Sequence, residues 1–335
     1  MVEEECQSGP ATAEMPISDK LGGFEFWRRT LKSAKYVVAP MVDQSALAWR
    51  MLCRKHGAEL CYTPMFHSKL FAEQESYREK EFTTCPEDRP LIVQFCGNDP
   101  DTVLAAAKFV EDRCDAVDLN LGCPQGIAKK GFYGSYLQDE WDLIASIVKR
   151  LHEGLKVPVT CKIRIFPDVQ KTIKYALMLQ EAGCQLLTVH GRTREQKQQN
   201  TGLADWEQIK MVREALSIPV FANGNILFHQ DIQMCLEATG VQGVMSAEGN
   251  LYNPFIFEPV LPNSFQAARE YIECVRKFGG LAPHVRGHLF KILRPALGIH
   301  TDFRQRIGVA SGLEAIIKEA EELISLVEAD YDVAK

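Results

Sequence analysis

The 335-residue sequence has no run of about 20 apolar residues, the length that crosses a bilayer, so it predicts no membrane-spanning helix. Its 11 cysteines are odd in number and include no CxxC pair, which argues against a disulfide framework and against a zinc site. We therefore expect no metal, and a reducing compartment such as the cytoplasm or the nucleus. Residues 1–23 contain no arginine and no apolar core, so they predict a flexible tail rather than a secretory or mitochondrial signal.

Acidic residues outnumber basic ones by 44 to 38, which gives a formal net charge of −6, so a nucleic-acid ligand would need a local basic patch. Residues 281–306 offer one, with five Lys or Arg, three His and a single acid. Arg286, Lys291 and Arg294 fall close to one face of a helix, so we predict that this face contacts phosphates. A solvated helix surface is the alternative interpretation. No obligate protein partner is evident.

Eight short, almost continuously apolar runs recur through the middle of the sequence, about one per βα unit of roughly 30 residues. They predict an α/β fold, a closed (β/α)₈ TIM barrel. An open doubly wound sheet is the alternative, which the absence of GxGxxG in the first unit disfavours. The runs are YVVAPM (36–41), ELCY (59–62), LIVQF (91–95), AVDLNL (116–121), VPVTCKI (157–163), LLTVH (186–190), IPVFANG (218–224) and GVMS (243–246).

Helical patterns separate these runs, and the clearest spans Pro100–Arg113, with Asp99 at the N-cap and proline at the first helical position. Three more are predicted at 140–152, 169–182 and 206–216. After Pro262 the strand signals stop and only helical periodicity remains. We therefore predict a barrel domain over 24–262 and an all-helical C-terminal domain over 263–335.

Polar residues follow the predicted strands, at the end where barrels of this kind place their chemistry. Their recurrence has no structural cause and suits a planar, anionic ligand across the barrel mouth. The glycine-containing loops after strands seven and eight are suited to phosphate. An ammonium at Lys162 would stabilise the negative charge of a reduced flavin. The polar segments are Asn120 to Pro124, Lys162 and Arg164, His190 to Thr193, Asn223 to Asn225, and Ser246 to Gly249.

These segments also carry a family resemblance. APM (39–41), NLGCP (120–124), KIR (162–164), HGRT (190–193), ANGN (222–225) and NP (253–254) resemble the tRNA-dihydrouridine synthases, over about residues 36–300. NLGCP followed about 66 residues later by HGRT is the most specific of these signals. The segments APMVDQ, CYTPM and VMSAEGNL are similar to the eukaryotic branch that acts on positions 16 and 17 of the tRNA D-loop.

The resemblance implies an enzyme that reduces the C5=C6 bond of uridine in tRNA, with FMN as hydride carrier and NADPH or NADH as electron donor. It implies that Cys123 gives the proton to C5, a role that suits a thiol because an unperturbed thiol stays mostly protonated at neutral pH. It places Asn120, Arg164 and Arg192 near the uracil. We add Lys129, in the loop after Cys123, for the RNA or the substrate ribose, and Arg286 and Lys291 for the RNA. The implied FMN contacts are Pro40, Met41, Val42, Gln94, Lys162, His190, Asn223, Gly224, Asn225, Ala247 and Glu248.

One position departs from many relatives, which have Gly-Arg where this sequence has Ala247-Glu248. A carboxylate repels phosphate, so we expect backbone amides rather than the Glu248 side chain to bind that group. Two alternatives stay open at this stage. One is a barrel that uses FMN to reduce a small free pyrimidine, and the other is a non-catalytic tRNA-binding protein.

Overall fold

The computed structural model describes residues 20–260 and 263–333. The predicted tail therefore lies outside the described residues as far as residue 19. Lys20 donates a hydrogen bond to the Leu155 carbonyl at 3.0 Å, and Gly23 begins the first helix. The chain is thus in contact with the barrel from its first described residue.

Eight parallel strands close into a barrel in sequence order, because β1 pairs with β2 on one side and with β8 on the other. This closure confirms the predicted (β/α)₈ fold and excludes the open doubly wound sheet. The strands are β1 Tyr36–Val38, β2 Leu60–His67, β3 Leu91–Cys96, β4 Ala116–Leu121, β5 Val159–Arg164, β6 Leu187–His190, β7 Val220–Asn223 and β8 Gly243–Ser246.

β2 is longer than its predicted segment of 59–62. The sequence places Pro64 within the apolar run, and proline lacks the N–H that a central strand donates. The structure accommodates it at an irregularity, where the register between β2 and β3 shifts between Tyr62 and Met65. Bulges are among the places where a strand tolerates proline, so β2 continues past Pro64 and brings Met65 to the barrel mouth.

Sixteen α-helices are described, and they include all four predicted between the strands. The side chain of Asp99 accepts from the Thr102 amide at 2.8 Å, which confirms the predicted N-cap. That helix ends at Lys108 rather than Arg113, and a 3-10 turn over Glu111–Arg113 follows. The helices are α1 Gly23–Arg29, α2 Leu47–Lys55, α3 Ser68–Glu73, α4 Glu75–Glu81, α5 Pro100–Lys108, α6 Gly126–Gly131, α7 Trp141–Gly154, α8 Val169–Glu181, α9 Trp206–Ala215, α10 His229–Thr239, α11 Glu248–Tyr252, α12 Ser264–Phe278, α13 Ala282–Ile292, α14 Arg294–Ile299, α15 Thr301–Val309 and α16 Leu313–Val333.

The C-terminal residues are helical, as predicted, and they pack against the barrel through α2. Trp49 on α2 stacks on His288 of α13 with ring centroids 4.0 Å apart, and both side chains are fully buried. His56 lies 2.7 Å from the Glu270 carboxylate on α12. Across residues 20–260 and 263–333, none of the helices has the length and apolar character that a bilayer crossing requires.

Candidate active site

A cavity of about 480 Å³ opens at the carboxyl ends of the barrel strands. It collects side chains from β2 to β6, from the loops after β1 and β4, from α11 and from α13 of the helical region. Ten of the predicted site residues line it, namely Pro40, Met41, Val42, Gln94, Asn120, Cys123, Lys162, Arg164, His190 and Lys291.

Lys162 on β5 has a neutral hydrogen-bond partner. Its Nζ donates to Oδ1 of Asn223 at 2.9 Å, and the Asn223 amide nitrogen donates to the Met245 carbonyl at 2.9 Å. Burial, and secondarily the nearby Arg164 guanidinium, lower the pKa of Lys162 to about 8. An anionic ligand would stabilise this desolvated ammonium, because the group bonded to it is a neutral amide oxygen.

Further cations surround Lys162. Burial, followed by repulsion from Arg192, lowers the pKa of Arg164 to about 10. The pKa of His190 lies well below its usual value, first through burial and then through Lys162 and the two guanidiniums. Neutral His190 is consistent with its contact to Arg192, whose Nη1 lies 3.1 Å from the imidazole Nε2, which accepts. Mutual repulsion of this kind is relieved when an anion binds.

The turn after β7 joins this cluster. Nη2 of Arg192 donates to Oδ1 of Asn225 at 2.8 Å. Asn225 has a φ of 63° and Gly224 a φ of 109°, both in the left-handed region. A Cβ on Gly224 would also lie 2.7 Å from the Ala204 side chain and 3.1 Å from the His190 ring, so only glycine fits there.

Cys123 is half-buried on the loop after β4 and lines the cavity. Oδ1 of Asn120 accepts from the backbone amides of Gly122 and Cys123, at 3.2 and 2.9 Å. The Cys123 carbonyl accepts from the backbone amide and the hydroxyl of Ser135, at 3.1 and 2.9 Å. The thiol is therefore held at the edge of a cavity rich in cations and amides, where it can give a proton to a bound ligand.

A family model described as "Dihydrouridine synthase (Dus)" matches residues 37–331. This chain belongs to the dihydrouridine synthase family. It is 56% identical over 306 residues to a Mus musculus protein named tRNA-dihydrouridine(16/17) synthase-like, covering 91% of this chain and 64% of that protein. Against the Schizosaccharomyces pombe tRNA-dihydrouridine(16/17) synthase it is 55% identical, with 87% and 76% covered. The chain thus spans less than two thirds of the length of the mouse relative.

Solved structures show the same barrel at low sequence identity. A 2-naphthoyl-CoA reductase complex matches with a TM-score of 0.53 and 11% identity, covering 78% of this chain and 56% of the reductase. Histamine dehydrogenase from Rhizobium sp. 4-9 matches with a TM-score of 0.51 and 12% identity, covering 77% and 49%. These likenesses support the fold alone.

The remaining predicted site residues lie around or away from the cavity. Asn223, Asn225 and Arg192 connect to it through the bonds described above, and Gly224 packs on His190. Glu248 is exposed and begins α11, and Ala247 directly precedes it. Lys129 is exposed on α6, the helix that follows the cavity residue Gln125.

Arg286 stands apart from the cavity. Its Nε donates to the Ile307 carbonyl at 3.1 Å, and its Nη2 donates to the Ala310 carbonyl. Lys291, one and a half turns further along the same helix, lines the cavity, and burial lowers its pKa. The structure therefore separates two residues that the sequence placed on one basic stripe.

Several residues at the site were not among the binding and catalytic residues predicted from the sequence. Asp118 was one that could have been found, because it alternates with Asn120 in the otherwise apolar run AVDLNL and so faces the barrel interior beside it. The others lie in loops, on α11 or beyond a misplaced strand end. The missed cavity residues are Gln44, Met65, Gly122, Pro124, Gln125 and Leu251.

Lys197, in the loop after β6, was also missed, and it fixes the loop that carries Cys123. Its Nζ donates to the Pro124 carbonyl at 2.8 Å and to the Tyr136 hydroxyl at 3.0 Å, and that hydroxyl donates to the same carbonyl at 3.0 Å. A contact between the loops after β4 and β6 therefore sets the position of the thiol.

We expect Lys197→Met to lower turnover about five- to tenfold, because a loosened loop misplaces the proton donor. Steady-state kinetics with tRNA measure the effect, and the exposed neighbour Gln199→Ala is the matched control. Equal turnover in the two variants would contradict a positioning role for Lys197.

Proposed function

We propose that this chain reduces the C5=C6 bond of uridines 16 and 17 in the D-loop of tRNA to dihydrouridine, using FMN and NAD(P)H. The observation that carries the proposal is the half-buried thiol of Cys123 at the edge of a cavity that also contains Lys162. Cys123 lies in NLGCP and Lys162 in KIR, two of the motifs that resemble the family. The relatives named for positions 16 and 17 support the choice of uridines.

The residues present fit FMN. Its phosphate suits the cationic side of the site at Arg192 and the turn at Gly224 and Asn225, whose positive φ angles are common in backbone turns that bind anions. Its ring carbonyls and N1–O2 edge suit amide donors and the Lys162 ammonium, which has only a neutral partner. The residues proposed to hold it are Pro40, Met41, Val42, Gln94, Lys162, His190, Asn223, Gly224, Asn225, and the backbone of Ala247 and Glu248.

When bound and reduced, FMN supplies hydride to C6 of the uracil. The chain itself provides the rest of the chemistry. Cys123 holds the proton that C5 needs, and the Asn120 side chain holds the loop on which the thiol lies. Asn120, Arg164 and Arg192 are proposed to orient the base, which must leave the folded loop of the tRNA to reach the cavity.

Contacts to tRNA are proposed for Lys129 on α6 and for the helical region. Lys291 connects the two regions, since it belongs to α13 and lines the cavity. We propose that it contacts a phosphate next to the extruded uridine. The guanidinium of Arg286 is engaged by two carbonyls, so a phosphate contact from Arg286 would use its remaining N–H groups.

Lys291→Ala should reduce the slope of log affinity for tRNA against log salt by about one, because one phosphate contact is lost. Fluorescence anisotropy with labelled tRNA at several salt concentrations measures the slope. Lys318→Ala, on an exposed side chain of α16, is the control. An unchanged slope in Lys291→Ala would assign this lysine to a role other than phosphate binding.

The direct test of the proposed function uses the purified chain with FMN, NADPH and unmodified tRNA transcript. Dihydrouridine is expected at positions 16 and 17, and a transcript with cytidine at both positions should remain unmodified. Free uridine is the second substrate in the assay. Reduction of free uridine without reduction of tRNA would replace this proposal with a small-pyrimidine reductase, and tRNA binding without any reduction would indicate a non-catalytic binding protein.

The compartment is proposed to be the cytoplasm, the nucleus or both. The ten cysteines that the structure describes are all unpaired, which agrees with a reducing environment.

A further inference from the structure

A buried carboxylate lies directly beneath the cavity and is not explained by the chemistry above. Asp118 projects from β4 into the barrel and is fully buried. Its two oxygens accept from the hydroxyl of Thr160 at 2.6 Å and from Nε2 of Gln94 at 2.8 Å. A carboxylate without a bonded cation is a costly group to bury, so its presence in a barrel core points to a role beyond packing.

The hydrogen bond to Gln94 is the first of a continuous series that reaches the loop of Cys123. Oε1 of Gln94 accepts from Nδ2 of Asn120 at 2.9 Å. Oδ1 of Asn120 accepts from the backbone amides of Gly122 and Cys123. We call this series, Asp118–Gln94–Asn120–backbone, the amide relay.

The two ends of the amide relay have fixed polarity. An ionised carboxylate only accepts, and backbone N–H groups only donate. If either Gln94 or Asn120 turned its amide over, two donors or two acceptors would face each other in a buried site. One orientation of both side chains therefore satisfies every bond, and the acceptor oxygen of Asp118 fixes its lower end.

This orientation determines what the cavity offers to a ligand. Gln94 and Asn120 both line the cavity, and both use their oxygens within the relay. Each amide nitrogen has two hydrogens and spends one of them on the relay. The two side chains can therefore present N–H donors, which suit carbonyl oxygens such as those of a flavin or a uracil.

We propose that Asp118 is a positioning residue that sets Gln94 and Asn120 as donors toward the ligand and anchors the loop of Cys123. This inference rests on the proposed function for the identity of the ligand, but the amide relay itself does not. The competing interpretation is that Asp118 is only a satisfied polar group of the core, in which case its loss affects stability and nothing else.

The test compares Asp118→Leu with Thr160→Val. Leucine has a similar size and no acceptor, so it releases Gln94, whereas valine removes the other partner of Asp118 and leaves the relay intact. Two quantities are measured in each variant: the Kd for FMN, and the rate at which iodoacetamide alkylates Cys123, followed by mass spectrometry. Thermal melting is recorded alongside to verify that both variants fold.

Asp118→Leu should raise the Kd for FMN roughly tenfold or more and speed alkylation of Cys123 several-fold, because donors are misdirected and the loop is loosened. Thr160→Val should leave both within about threefold of wild type even where it lowers the melting temperature. Asp118→Asn should resemble Thr160→Val, since its oxygen can face Gln94 while its new N–H₂ donates to Thr160. Equal values for Asp118→Leu and Thr160→Val would overturn the proposal.

A second pair of variants decides the matter if Asp118→Leu does not fold. Asn120→Asp puts an acceptor opposite Gln94, so the Gln94 amide must rotate to donate to it. The oxygen of Gln94 then faces the carboxylate of Asp118, and the two acceptors repel each other. Adding Asp118→Asn supplies a donor there, so the side-chain bonds between positions 118, 94 and 120 can run in reverse while the backbone amides still donate to the new carboxylate at position 120. The double variant should therefore alkylate at Cys123 several-fold more slowly than Asn120→Asp alone. Additive effects would contradict the amide relay.

The alkylation rate needs no cofactor, so it separates this inference from the proposed function. A wild-type chain that binds no FMN and reduces no tRNA would refute the proposed function. The alkylation rates alone would then test the amide relay.

Discussion

Cys123→Ala is expected to lower the rate of tRNA reduction by about 10²- to 10⁴-fold, the range that a positioned general acid contributes. The thiol is half-buried at the cavity edge, and the loop that carries it is held by Asn120 and Ser135. Removing one sulfur should leave these contacts in place, so FMN and tRNA should bind as before. The effect should therefore appear in turnover and not in affinity.

Single-turnover reduction of tRNA by the prereduced variant measures the loss directly, because it bypasses NADPH. The matched control is Cys274→Ala, a cysteine of similar exposure on α12. Turnover by Cys123→Ala at the wild-type rate would mean that another group gives the proton. Cys123→Ser should reduce tRNA at a rate between those of Cys123→Ala and the wild type, because a hydroxyl is a weaker acid than a thiol.

Lys162→Met is expected to lower turnover by about 10²- to 10³-fold, as for removal of one preorganised charge from an active site. The ammonium is half-buried and bonded to the neutral Asn223 side chain, so its charge is available to the ligand. Its loss should also make bound flavin harder to reduce. Photoreduction against a reference dye measures that potential, and Lys149→Met, on an exposed side chain of α7, is the control.

The same lysine predicts a pH dependence. Burial lowers the pKa of Lys162 to about 8, so the ligand-free protein loses this positive charge as the pH rises through that value. FMN is anionic, and its affinity should therefore weaken above about pH 8 in the wild type. In Lys162→Met this dependence should disappear. Loss of flavin affinity with the same pH profile in the variant would assign the titration to another group.

Much of the barrel follows from local pattern. Strands buried on both faces are continuous apolar runs, so β4 at 116–121 was predicted without error, as was β8 at 243–246. The predicted strand boundaries were wrong where packing in the barrel overrode a local sequence signal. The predicted run ended at Tyr62, but β2 continues past Pro64 at an irregularity in its register with β3, and that extension brings Met65 to the cavity.

The candidate site was likewise predictable in part from the sequence. Parallel strands direct all their carboxyl ends to one rim, so a residue's place after a strand is enough to predict that Cys123, Lys162 and His190 meet. The basic stripe of 281–306 was less predictable. Arg286 and Lys291 are five residues apart on one helix, yet one binds carbonyls of the helical region and the other lines the cavity.

The sequence by itself determined the fold class, the family and ten of the residues that line the cavity, because strand periodicity and the position of a residue after its strand can both be recognised along the chain. Only the tertiary structure decided which of those residues bond to each other. Gln94 meets Asp118 across 24 residues and Asp118 meets Thr160 across 42, through the register of neighbouring strands. No local pattern encodes such pairings, since they arise when the closed barrel aligns separate strands, and the donor polarity of the cavity depends on them.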